Sequence, residues 1–316
     1  MLPSLKKFPE QIKEAIEIGR KIEFNIKKIE NIVVAGMGGS GIAGEILKHE
    51  AKIPFFVNQD YNIPPFVSSS TLFIAISYSG NTEETIESYK KAKRKKAQTL
   101  VITSGGKLGK EKNAILIPKG MPPRAAIAYL LFPLAFFLSK NNFIKKIDYN
   151  AIIKSAEMMR ERRDFAKEIA NELEGMPIIY GHGILAAIAK RWRQQFNENA
   201  KMHSFSFPLP ECNHNEIEAW ERSGGNFTCI FLRQSKENER IKKRFEFMKE
   251  TYKKKAKIIE VWGEGKDEFS NAIYLLYLGD LISVYKATMD GIDAEPVNLI
   301  TKLKKKLGNQ HSRSSS

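Results

Sequence analysis

The chain has 316 residues, 42% of them apolar and 28% charged, with a formal net charge of +15. This is the balance of a soluble globular protein long enough for two domains of ordinary size. Its two cysteines, Cys212 and Cys229, exclude a disulfide framework and a Cys-rich metal site.

Residues 10–29 carry apolar positions at Ile12, Ile16, Ile22 and Ile26, and the spacing predicts a helix. The segment 1–30 is charged and amphipathic with no apolar signal core, so a cytoplasmic protein is expected. Strands then alternate with helices: strands at 32–36, 54–58, 72–77, 99–103 and 114–117, helices at 40–49, 82–96 and 106–111. The alternation argues for a parallel sheet covered on both faces. The apolar stretch 125–138 is too short to cross a bilayer and contains Pro133, which predicts a buried helix between domains and no membrane association. After a Lys-rich break at 140–146 the pattern restarts. A charged helix over 149–174 leads into Pro177-Ile178-Ile179-Tyr180-Gly181-His182-Gly183 and a helix over 184–200. Strands follow at 227–232 and 257–262, with helices at 214–222, 236–251, 268–288 and 296–307. The halves read as degenerate copies of one α/β unit, divided as 1–145 and 146–308, with residues 309–316 a disordered tail.

Two strand-to-helix junctions carry the chemistry. Gly36-Met37-Gly38-Gly39-Ser40-Gly41 follows the first strand, and Ser77-Tyr78-Ser79-Gly80-Asn81-Thr82-Glu83-Glu84-Thr85 follows the third. Free amides at a helix start, glycines that admit a close ligand, and hydroxyl donors together make an anion site. The first junction also satisfies the dinucleotide pattern G-x-G-x-x-G, with Asp60 in the place of a ribose-binding acid. Alone it leaves open a dinucleotide site, a sugar-phosphate site and a structural turn. The hydroxyl-rich second junction shifts the balance to a phosphate monoester, against its own alternative of a helix cap by Ser79 or Asn81. The counterpart loop at His182 lacks hydroxyls and is expected to have lost phosphate binding. The net charge fits an anionic substrate, nucleic acid or a solvated surface. The Lys runs 90–96, 253–257 and 302–306 interleave with no aromatics, so no nucleic-acid partner is expected.

Those two loops, with Pro122-Pro123-Arg124, Asn197-Glu198-Asn199-Ala200-Lys201, Asn213-His214-Asn215-Glu216 and Leu303-Lys304, resemble the sugar isomerase (SIS) domain family. The resemblance is to its bifunctional phosphoglucose/phosphomannose isomerase group, and it spans almost the whole chain. It implies an α/β fold of two tandem SIS domains, each a parallel sheet flanked by helices in three flavodoxin-like layers. It implies a metal-independent aldose–ketose isomerase, without cofactor, that interconverts glucose 6-phosphate or mannose 6-phosphate with fructose 6-phosphate. Phosphate binding falls on Gly38, Gly39, Ser40, Ser77, Ser79 and Thr82. Proton transfer falls on Glu198, ring opening on His214 assisted by Lys304, and enediolate stabilisation on Arg124. A homodimer with His214 donated by the partner copy is also implied.

The chemistry suits these residue types. A carboxylate can serve both carbons of a cis-enediolate, and imidazole titrates near neutrality. Asn213 and Glu216 are expected to form a capping box at the start of a helix. The residues alone leave Glu198 a solvated helix position, His214 a surface residue, and the register among Lys302, Lys304, Lys305 and Lys306 open. The five histidines show no metal-ligand spacing. A non-catalytic sugar-phosphate sensor and a nicotinamide dehydrogenase are the alternative functions.

Overall fold

The computed structural model describes residues 1–222 and 225–311. In the first half, α1 (Leu2–Lys6) and α2 (Phe8–Arg20) precede β1 (Asn31–Ala35), α3 (Gly39–Lys48), β2 (Phe55–Asn58), β3 (Thr71–Ile76), α4 (Glu83–Arg94), β4 (Gln98–Thr103), β5 (Ala114–Leu116) and α5 (Ile127–Lys140). The second half runs α6 (Tyr149–Glu161), α7 (Arg163–Glu172), β6 (Met176–His182), α8 (Ile184–Gln195), β7 (Phe205–Leu209) and α9 (Ala219–Arg222). It ends with β8 (Phe227–Arg233), α10 (Glu239–Tyr252), β9 (Lys257–Trp262), α11 (Glu268–Met289) and α12 (Asn298–His311).

All strand pairs within the two sheets are parallel. The first sheet has the order β2-β1-β3-β4-β5 and the second β7-β6-β8-β9. The first order is that of a flavodoxin-like doubly wound sheet, and the second repeats its first four places. β3 is buried at all six positions because helices cover both faces, which is why it reads as an unbroken apolar run. One face of the first sheet packs Val33, Phe73 and Val101 against Tyr89 of α4. One face of the second packs Tyr180 and Phe231 against Phe245 and Met248 of α10. The remaining faces share one core, which runs from Val34 and Ile74 through α5 and α11 to Ile179 and Ile230. α11 is buried along most of its 22 residues and starts at a capping box between Asp267 and Ser270.

Several elements differ from the sequence reading. The first helix ends at Arg20 rather than near residue 29. Beyond it Ile22, Phe24 and Ile26 alternate onto the core as an extended segment, a period of two that a helical reading absorbed. The helix over 149–174 is two helices, broken at Arg162. The stretch 106–111 forms only a short turn, Leu108–Lys110. β7 was not foreseen: it is a sheet edge, where Pro208 removes no needed ladder donor. Residues 309–311 continue α12 instead of starting a tail, and residues 312–316 lie outside the described residues.

Candidate active site

β1 and β3 are neighbours although β2 lies between them in sequence, so their C-terminal ends form the switch point where such sheets bind ligands. Both predicted anion loops leave from this point. Gly38 caps α3 with φ +52°, a left-handed conformation that suits glycine. At the start of α3 the amides of Ser40 and Gly41 donate back to the carbonyl of Met37 at 3.1 and 3.4 Å, and the buried Ser40 lies in that first turn.

The second loop is built from its own hydroxyls. Ser77 Oγ accepts from the amide of Gly80 at 3.1 Å and lies 2.8 Å from Thr82 Oγ1. Ser79 Oγ accepts from the amide of Asn81 at 3.2 Å, and Asn81 Oδ1 from that of Lys107 at 3.0 Å. Gly80 has φ +66°, and a Cβ there would lie 1.8 Å from the carbonyl oxygen of Gly105, so only glycine fits. The alternative of a cap by Ser79 or Asn81 is not realised. Thr82 caps α4, and its side chain makes no capping hydrogen bond.

The second half repeats the first junction without its chemistry. Gly183 caps α8 at φ +58° and ψ −131°, close to the +52° and −127° of Gly38. A Cβ on Gly183 would lie 3.5 Å from the Glu268 carboxylate. After β8, Glu237 accepts from the amide of Gln234 at 3.1 Å and from Arg233. The protein's own carboxylates thus stand where an anion would bind.

Arg124 enters over the first loop, its Cα 4.0 Å from where a Cβ of Gly39 would be. The amide of Met121 donates to Tyr78 Oη at 3.0 Å and ties this segment to the second loop. The Arg124 side chain is 5% exposed. It donates to Asn199 Oδ1 at 2.6 Å, to the carbonyl of Glu295 at 3.0 Å and to the carbonyl of Ala294. Its Nη1 lies 4.0 Å from Glu198 Oε2. Burial lowers the Arg124 pKa from its usual value, while Glu198, Glu295 and Asp280 pull it back up.

Glu198 is not on a regular helix. α8 ends at Gln195, and residues Phe196–Ala200 form a π-turn closed by Lys201 at φ +55°. The wider turn changes which way residue 198 faces, and such turns are frequent at functional sites. Helical spacing could not have shown it. Lys201 was also missed. Its Nζ donates to the carbonyls of Glu198 and of Pro296, the latter at 2.7 Å. Burial, then the neighbouring Arg124 charge, lowers the Lys201 pKa.

Lys304 lies elsewhere. Between α12 and α4 is a cavity of about 890 Å³ whose lining includes Asn81, Thr82, Lys107 and Lys304. Lys302 is not in that lining, which selects the register for the cavity. Arg124 and Glu198 do not line it either, so Lys304 borders the second loop but not the Arg124–Glu198 pair.

His214 is exposed at the end of a short turn, Glu211–His214. The predicted helix over 214–222 is two such turns followed by α9. Asn215, not Asn213, makes the cap, accepting from the amide of Glu216 at 2.6 Å. Glu216 closes no capping box. It accepts from Tyr180 Oη at 2.7 Å, Trp220 Nε1 at 2.8 Å and Tyr252 Oη at 3.3 Å, and so fixes the loop on the α10 face of the second sheet. The π-turn packs through Phe196 and Ala200 into the core on the opposite face. One chain therefore does not bring His214 and Glu198 together. Asp60, the candidate ribose acid, is exposed and accepts from the amide of Asn62 at 2.9 Å within its own turn. The dinucleotide reading is set aside.

Residues 25–139 match the SIS domain model, and residues 162–307 match that of the bacterial phospho-glucose isomerase C-terminal SIS domain. The bifunctional phosphoglucose/phosphomannose isomerase of Caldicellulosiruptor bescii is 37% identical over 97% of this chain and 98% of its own length. That of Thermoplasma volcanium is 39% identical over 90% and 93%. A D-glucosamine-6-phosphate 4-epimerase of Sulfolobus acidocaldarius is 32% identical over 90% and 91%. The structure of glucosamine-6-phosphate deaminase from Thermotoga maritima superposes with a TM-score of 0.72 at 16% identity, over 93% of this chain and 97% of that one, a likeness of fold alone. On these matches the chain belongs to the bifunctional phosphoglucose/phosphomannose isomerase family, built from tandem SIS domains.

Proposed function

We propose that this chain interconverts glucose 6-phosphate and mannose 6-phosphate with fructose 6-phosphate through ring opening and a cis-enediolate. The observation that carries the reading is the Arg124 guanidinium, 4.0 Å from the Glu198 carboxylate and rooted over Gly39 at the switch point. Gly38, Gly39, Ser40, Ser77, Ser79 and Thr82 hold the phosphate with amides and hydroxyls. The sugar then extends toward the π-turn, where Glu198 moves the proton between C2 and C1. Arg124 stabilises the negative charge that develops on the enediolate oxygen. Lys304 closes over the phosphate end from α12. His214 acts in ring opening from the partner copy of a homodimer, because its own chain holds it on the other face of the sheet. The units 1–145 and 146–308 are the two domains of this reading, and a reducing cytoplasm suits its free cysteines.

The deciding experiment incubates the protein with fructose 6-phosphate in EDTA and measures glucose 6-phosphate and mannose 6-phosphate separately. A parallel sample carries glucosamine 6-phosphate, because one relative acts on that sugar. Formation of both hexose phosphates is the expected result. Glu198→Gln should bind inorganic phosphate as the parent does and lose about 10²–10⁴-fold in kcat, the range of a general base. A variant that keeps most of the turnover would remove Glu198 from the reaction. Turnover of glucosamine 6-phosphate alone would assign the site to epimerisation.

A further inference from the structure

Beneath the Arg124–Glu198 pair, six polar residues close a ring inside the protein. Asp280, on α11 and 1% exposed, accepts from Arg191 Nε at 2.9 Å and Nη2 at 2.6 Å. The same Nη2 donates to the main-chain carbonyl of Arg124 at 2.9 Å. Asp280 Oδ1 also accepts from Gln195 Nε2 at 2.7 Å, and the Asp280 carbonyl from Ser283 Oγ at 2.8 Å. Asn199 Nδ2 donates to both Gln195 Oε1, at 3.3 Å, and Ser283 Oγ, at 2.9 Å. Asn199 Oδ1 accepts from Arg124 Nε at 2.6 Å, which completes the circuit.

Three features separate this ring from a buried ion pair that only holds helices together. It grips Arg124 twice, by its carbonyl and by its guanidinium. It grips Asn199, the chain neighbour of Glu198 in the π-turn. Arg191 Nη1 lies 3.8 Å from where a Cβ of Gly39 would be, so the ring reaches the first phosphate loop as well. A buried ion pair is a poor source of stability, because desolvation offsets much of its attraction. It is a good source of geometry, because each member has few alternative partners.

We propose that Asp280 is a positioning residue for the isomerisation: through Arg191 and Asn199 it fixes the Arg124 guanidinium and the Glu198 turn relative to each other and to the phosphate loop. Proton transfer depends steeply on such placement, and a displacement of about 1 Å costs on the order of 100-fold. The inference rests on the isomerase reading above.

Four variants test it with fructose 6-phosphate: Asp280→Asn, Asn199→Ala, Ser283→Ala and the paired Arg191→Met/Asp280→Leu, which removes both charges of the buried pair together. The readouts are kcat, the inhibition constant of inorganic phosphate and Tm. Asp280→Asn should lose at least about 30-fold in kcat while phosphate inhibition changes less than about threefold. The paired variant, melting near the parent, should stay as slow, since restored stability does not restore placement. Asn199→Ala should lose about 10-fold or more, with phosphate inhibition unchanged. A folded paired variant with kcat within about threefold of the parent would overturn the proposal. Where neither Asp280 variant folds, Asn199→Ala and Ser283→Ala both at parental kcat would overturn it. Phosphate inhibition that weakens in step with kcat would overturn it too, by showing loss of binding instead of placement. A parent that turns over no sugar phosphate removes the isomerase reading and this role with it, whereas an active parent with unaffected variants removes only this role.

Discussion

Glu50 carries a carboxylate that the fold has nearly closed off from water, the residue being 7% exposed. A cationic partner, Lys145, stands 3.5 Å away. Burial raises the Glu50 pKa above its ordinary value, Lys145 opposes the shift, and Glu268 and Asp267 add to it. A raised carboxyl pKa means that the folded state holds this proton more tightly than the unfolded chain. The stabilisation is complete below the unfolded pKa and is lost as pH rises through the folded one. Glu50→Gln cannot ionise. Its Tm relative to the parent should therefore be near zero at about pH 4.5 and positive by about pH 8. Thermal melts across that range check the sign, and a relative Tm that falls with pH would show that the Lys145 pair outweighs the burial.

The last helix makes the clearest case among the elements. α12 exposes Leu299 at 80% and Leu303 at 57%, so it adds little to the folded core. Yet it brings Lys304 to the cavity beside Asn81 and Thr82. Ending the chain after Val297 should leave Tm within about 2–4 °C of the parent, because little apolar area is given up. The same truncation should lower kcat/KM for fructose 6-phosphate about 100-fold or more if Lys304 serves the reaction. Lys304→Met in the full chain separates the side chain from the helix, and Lys302→Met is its control. What the sequence made legible divides along the same physical line. β1, β3 and β4 were readable because two covered faces demand unbroken apolar runs, and the loops after β1 and β3 because an anion site demands glycine and hydroxyls. β7 was hidden by Pro208 and by the burial of just one of its five positions, Leu209, as befits a sheet edge. The Glu198 turn was hidden because a π-turn leaves no mark on a helical pattern. Glu216 was given the role of a cap because its true partners, Tyr180, Trp220 and Tyr252, come from three separate elements.

At the scale of the whole molecule, the two sheets share one core but divide the labour. The first supplies both candidate phosphate loops, while the second has Glu268 and Glu237 at its counterparts and supplies the π-turn instead. This division places Glu198 and His214 on opposite faces of one sheet, and a homodimer in which each site takes Glu198 from one copy and His214 from the other would reunite them. Such an arrangement predicts complementation. Glu198→Gln and His214→Ala homodimers should each be nearly inactive. Unfolding and refolding the two together at equal concentration yields about half heterodimers, and each of these carries one site with both residues intact and one with neither. The mixture should then recover about one quarter of the parental activity, with light scattering reporting a dimer throughout. A monomer by scattering, or a mixture no more active than its separate components, would mean that His214 serves no partner's site.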